Sequence, residues 1–197
     1  IIGLGLFLHA IAWWLLDRPA FRPFGVLQRI GLCFIAAGLV AIYVRPRAQW
    51  LLIALLLLGY WFALELSGGY GQGRSLPNRM DALLLGPHAY RFDPLTGLGQ
   101  EPEGLLSTLP AIATTLLGLR VGDWLRVGRS RQLLMLAAVA LPVAWLWSYA
   151  MPFNKALWTS SYALWAAGLA AVVLWVMHQL IDLRAWPALG RRFGVNA

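Results

Sequence analysis

The chain is 197 residues long, 60% hydrophobic and only 12% charged, with a mean hydropathy of +0.66. A soluble domain carries about twice that charged fraction, so a water-soluble enzyme or binding module is excluded. The net charge of +8 is spread over every loop and clusters on no soluble face, which argues against a nucleic-acid partner and for orientation in a lipid bilayer.

In chain order, the apolar blocks have about the 20-residue length of a bilayer-spanning helix, not the short alternation of a barrel strand. They predict an all-α fold, a polytopic transmembrane helix bundle. A partial span at 1–16 precedes five full spans at 24–44, 50–66, 104–125, 132–151 and 157–181. The single transmembrane domain, 1–197, is interrupted by a long Gly- and Pro-rich loop, 67–102, where Asn78 to Leu85 reads as a short helix and Tyr70, Tyr90 and Phe92 suit an ordered cap. The first residue, Ile1, already lies in an apolar run and the end, "GRRFGVNA", reads as the start of another helix, so the chain is expected to be a piece of a longer protein. Cys33 lies inside an apolar block, and with His9, His88 and His178 far apart neither a disulfide framework nor a metal site is expected.

The connections alternate sides. The second, fourth and sixth hold eight Lys and Arg residues against six in the others, which places the first set in the cytoplasm and the 67–102 loop outside. Three spans, beginning at 24, 104 and 157, then enter the bilayer from the outer side, and their polar residues fall at one depth, about 6 to 8 Å inside. These are Gln28 and Arg29 in the first, Ser107 and Thr108 in the second, and Thr159, Ser160 and Ser161 in the third, just below Asn154 and Lys155. Helix N-termini with unpaired N–H groups and positive dipole ends can converge on one polar pocket. Pro102 and Glu103 suit the first helical turn, and Pro110 is expected to free the Leu106 carbonyl and bend the helix beside Ser107 and Thr108.

Each residue also has a plainer reading. Gly104, Thr108, Ala111, Thr115, Gly118 and Gly122 recur at steps of three and four, a small-residue face for close helix packing. Arg29 reads equally as a snorkelling side chain and Lys155 as an interfacial anchor. Asn154 reads as a helix cap, Glu65 as exposed to the loop, His9 and His178 as packing residues, and the tryptophans as an aromatic belt.

Four stretches, "GVLQRIGL" (Gly25 to Leu32), "NRMDALLLGPHAY" (Asn78 to Tyr90), "EPEGLLSTLPAIATTLLG" (Glu101 to Gly118) and "PFNKALWTSSY" (Pro152 to Tyr162), with "GVNA" at the end, follow one another as in a known family. The chain resembles the heparan-alpha-glucosaminide N-acetyltransferase family, a lysosomal enzyme and its bacterial relatives. The resemblance implies a membrane-embedded acyltransferase, in a bacterial inner membrane, that moves an acetyl group from cytosolic acetyl-CoA to an amino sugar or glycan acceptor across the bilayer without a metal. A homodimer is compatible with it.

The family's catalytic histidine belongs upstream of Ile1, so no catalytic residue is assigned here, His9 is not a substitute, and this segment alone is expected to be inactive. Gln28, Arg29, Glu103, Asn154, Lys155, Thr159 and Ser161 match motif positions, and Ser107 and Thr108 join them as pocket candidates by depth. Arg126, Arg129 and Arg131 serve either coenzyme A phosphates or membrane anchoring. A sugar permease with Arg29 and Glu103 on its path is the alternative, and an inverted repeat of spans would favour it. A structural scaffold leaves the clustered polar helix starts unexplained.

Overall fold

The computed structural model describes residues 1–16, 20–71 and 75–187. Asp17, Arg18, Arg74, Arg191 and Arg192 of the charge count, and the closing "GVNA", lie outside the described residues. Seven α-helices are described: α1 (Ile2–Leu15), α2 (Val26–Tyr43), α3 (Pro46–Leu66), α4 (Leu76–Leu85), α5 (Thr108–Arg126), α6 (Arg131–Trp147) and α7 (Ser160–Met177). A π-helical turn, His178–Leu183, continues α7.

The expectation of five full spans is met only in part. Three helices are long and apolar enough to cross a membrane by themselves: Val26–Tyr43, Pro46–Leu66 and Ser160–Leu183. Of the other two, α6 has 17 residues, and α5 is diluted by Arg120, Asp123 and Arg126 and by three threonines. The fold is mostly helical, not all-α: the 67–102 loop contains a two-stranded antiparallel hairpin of β1 (Arg91–Asp93) and β2 (Leu98–Gln100). The Asp93 carboxylate closes its turn by accepting from the Leu95 N–H at 3.0 Å and the Thr96 hydroxyl at 2.6 Å. Before it, α4 ends at Gly86, whose φ of +50° favours a residue without Cβ. The hairpin and α4 pack together as a cap over one end of the bundle.

Gln49 explains the tight connection between α2 and α3. Its Nε2 donates to the Val40 carbonyl at 3.3 Å and the Val44 carbonyl at 2.8 Å, satisfying acceptors that the end of α2 leaves open. The centre of the bundle is α5, which packs against α2, α3, α6 and α7. Its fully buried Ala113 and Leu116 meet Ala37, Ile53, Leu57 and Ala163. Alanines at these crossings let backbones approach, which is where helix association in lipid finds its contacts. Two hydrogen bonds tie α3 to the start of α7: the Ser160 hydroxyl to the Leu57 carbonyl at 2.7 Å, and the Tyr60 hydroxyl to the Leu157 carbonyl at 2.6 Å.

Two local expectations are corrected. The helix expected from 104 begins at Thr108, so Pro102 and Glu103 lie in the preceding turn and not in its first turn. Pro110 therefore occupies that first turn, where no amide donor is needed, and the Leu106 carbonyl is taken by the Leu109 N–H at 3.1 Å. No freed carbonyl results. The small-residue face is not a packing face along its length either: Gly118 and Gly122 are exposed and a Cβ on either would meet nothing.

Candidate functional site

The capped end of the bundle gathers the starts of α2, α5 and α7. The segment leading into α2 carries Arg22 across to the turn before α5. There its guanidinium forms a salt bridge with Glu101, through Nε at 2.9 Å and through Nη2, and its Nη2 also reaches Glu103. Glu101 is 2% exposed and additionally accepts the Tyr90 N–H at 3.0 Å. The Tyr90 ring lies 4.7 Å from the Arg22 guanidinium carbon, a cation–π contact that holds the arm from the other side. Burial works against the Arg22 charge, but the bonds and attraction of Glu101 and Glu103 outweigh it and raise its proton affinity above the ordinary arginine value.

Arg29 does not snorkel. It is buried, and it donates from Nη1 to the Pro102 carbonyl at 3.0 Å and from Nη2 to the Ser107 carbonyl at 2.7 Å. Its guanidinium carbon sits 4.3 Å from the Trp158 ring. Trp158 reaches this position with φ of +50°, a conformation costly for a bulky residue, so the turn before α7 holds it there by force of the surrounding contacts. One arginine on α2 thus fastens the turn before α5 and the turn before α7.

Between these three helix starts lies a cavity of about 570 Å³, with Arg29, Glu103 and Lys155 on its polar side and Ile30, Cys33, Phe34, Ala111 and Thr115 on its apolar side. A smaller cavity of about 260 Å³ adjoins Arg22 and is lined by His9, Trp13, His88 and Tyr90. The Nδ1 atoms of both histidines lie against carbonyls of one segment, His9 on Arg22 at 2.6 Å and His88 on Phe21 at 2.7 Å. A carbonyl can only accept, so each ring carries a proton on Nδ1.

The nine pocket candidates separate three ways. Arg29, Glu103 and Lys155 meet at the larger cavity. The hydroxyls are committed to the backbone instead. Ser107 donates to the Pro102 and Gly104 carbonyls, Thr108 to Gly104, Thr159 to Pro152 and Ser161 to Met151. Asn154 accepts the Leu157 N–H at 3.1 Å within the turn before α7, while Thr159 is the residue at the helix start. These five residues build the two turns and do not face the cavity. Gln28 points the other way, toward Gly5 of α1 and Gly25, and its amide atoms are buried without a hydrogen-bond partner among the described residues.

Sequence reasoning named Tyr90 only as part of an ordered cap and did not offer Arg22, Glu101 or Asp81 as site residues. The signal available for the acids was the doubled "EPE" at the helix approach; nothing local marked Arg22, whose partners lie 79 and 81 residues away. Of the remaining expectations, Glu65 does serve the loop, accepting from Trp61 at 3.1 Å and from Tyr70. His178 pairs with Asp182 at 2.8 Å on the far end of α7.

Comparison with known proteins adds one finding. No family model matches the chain. Human heparan-alpha-glucosaminide N-acetyltransferase is similar to it, 27% identical over 219 aligned positions that cover 81% of this chain and 33% of that protein. The relative is an N-acetyltransferase. The similarity supports a related acyltransferase family and a transferase reading, and does not favour the permease. The chain spans about a third of the length of the curated relative it matches.

Proposed function

We propose that this chain forms part of a membrane-embedded N-acetyltransferase that takes an acetyl group from cytosolic acetyl-CoA and delivers it to the amine of a glucosamine-type sugar or glycan on the outer side. The observation that carries the reading is the meeting of Arg29, Glu103 and Lys155, from three separate helix starts, at one cavity with an apolar wall. A similarity to a named N-acetyltransferase over most of the chain supports it. In the same reading α5 and α6 complete five full spans, the polar residues of α5 being accommodated by its central packing and α6 falling short only in length, and the cap faces outward, in line with the distribution of basic residues. The setting is a bacterial inner membrane.

In the reaction, the amine nitrogen attacks the acetyl carbonyl carbon, the bond from that carbon to sulfur breaks, and the amine proton passes to a base. The resemblance assigns that base to a histidine upstream of Ile1. Lys155 is exposed at the cavity, where its ammonium stabilises negative charge developing on the carbonyl oxygen. Glu103 accepts a hydrogen bond from the acceptor amine and orients it. Both terminal nitrogens of Arg29 are held by carbonyls, so it fixes the walls and contributes its charge without moving.

The test is substitution with kinetics. Lys155→Met in the full-length protein is expected to lower kcat by about a hundredfold with yield and melting temperature unchanged, the loss typical of one oxyanion donor. Glu103→Gln is expected to raise KM for the amino sugar as well as lower kcat. If both variants keep wild-type turnover, the cavity is not the site.

A further inference from the structure

One buried acid in the cap is left unused by this reading. Asp81 lies on α4, 3% exposed, and its Oδ2 has no hydrogen-bond partner among the described residues. It is seated against Gly104, where any side chain would overlap its carboxylate, so the missing Cβ is what lets the turn before α5 close onto α4. The backbone N–H groups of Glu101 and Leu105 and the Glu101 side chain face it. Glu101 in turn shares Arg22 with Glu103 on the cavity wall.

The other surroundings offer Asp81 no cation. From α3 the facing group is Tyr60, whose hydroxyl is engaged by the Leu157 carbonyl. On the β2 side, the uncharged Gly99 closes against Ala82 of α4. Ser75, at the start of α4, and Asn78 on it are buried and neutral, and Arg79 is turned to the Ser67 carbonyl at 2.6 Å. Among the described residues Asp81 makes no ion pair.

We propose that Asp81 is a positioning residue, a neutral carboxyl that latches α4 onto the turn at 101–105 and so fixes Glu103 at the cavity, with the latch loosening when Asp81 ionises. Its effect on turnover rests on the transferase reading above. Burial first, and repulsion by Glu101 second, push the acid from 3.8 up to about 7. Once the latch opens, water returns the acid to its ordinary range. The closed state therefore binds the proton more tightly, and opening becomes easier as pH climbs from about 4 toward 7 but no easier above.

Hydrogen exchange reads this without reference to catalysis. The Tyr90 amide, which donates to Glu101 Oε2, is followed in the full-length protein in lipid nanodiscs, corrected for the intrinsic pH dependence of exchange. Its protection is expected to fall between pH 4 and 7 by up to about tenfold per pH unit. In Asp81→Asn, which keeps the shape of the neutral acid, protection stays flat. Infrared spectra of the wild type should show a protonated-carboxyl band at pH 5 that the variant lacks. Acetyl transfer by the variant relative to wild type should rise with pH up to about 7, a comparison that cancels titration of the amine.

Flat protection in the wild type, or an unchanged slope in Asp81→Asn, overturns the latch. If the variant does not fold, the wild-type slope and band still decide. Sloped protection without acetylated product upholds the latch and refutes the transferase reading; product with flat protection refutes the latch alone.

Discussion

Glu101 is nearly inaccessible, and a lone carboxylate there would carry a heavy desolvation penalty. It is kept by hydrogen bonds from Arg22 and from the Tyr90 N–H, so the arm before α2, the cap and the approach to α5 meet on one side chain. Replacing Arg22 with Met leaves Glu101 uncompensated. The expected loss is roughly 2 to 3 kcal/mol, below the full figure for breaking a buried pair because Arg22 is about a quarter exposed. Glu101→Gln should cost less, since Arg22 retains Glu103. Denaturation of the two variants in detergent checks the order, and a smaller loss for Arg22→Met than for Glu101→Gln would contradict it. At this scale the sequence was only half legible. Depth along the helices set Arg29 near Lys155 and the motif match added Glu103, and these three line one cavity; depth also drew in Gln28, Ser107, Thr108, Thr159 and Ser161, which do not line it. A hydroxyl near a helix start is within reach of nearby backbone carbonyls, and that local bond took the hydroxyl side chains.

At the scale of elements, hydropathy placed the helices well because their lipid-facing sides are long and apolar. It placed the start of α5 too early, since the 101–107 turn is held by Arg29 and Asp81 contacts from distant parts of the chain that no local pattern reveals. The hairpin was missed for a similar reason: strands of three residues show no alternation to read. The junction of α3 and α7 depends on the Ser160 hydroxyl reaching the Leu57 carbonyl. Ser160→Ala is expected to destabilise the fold by about 0.5 to 1 kcal/mol, the range for a hydrogen bond between helices in lipid. Thermal unfolding in nanodiscs measures it; a neutral or stabilising effect would show that close packing alone holds the junction.

Across the whole molecule three features meet at the capped end. The helix starts of α2, α5 and α7 are bound to one another by Arg29, a cap is fastened over them by Arg22 and Glu101, and a cavity with cations and a carboxylate opens between them. The transfer proposed above uses this cavity, whose lining comes from α2, the turn before α5, α5 itself and the turn before α7, and the similarity to a named N-acetyltransferase does not favour a permease. The direct test reconstitutes the full-length protein in liposomes, with labelled acetyl-CoA on the face of the 126–131 loop and glucosamine on the face of the cap. Labelled N-acetylglucosamine on the cap side is the predicted result. Glucosamine that crosses the membrane unmodified, with no labelled product, would contradict it.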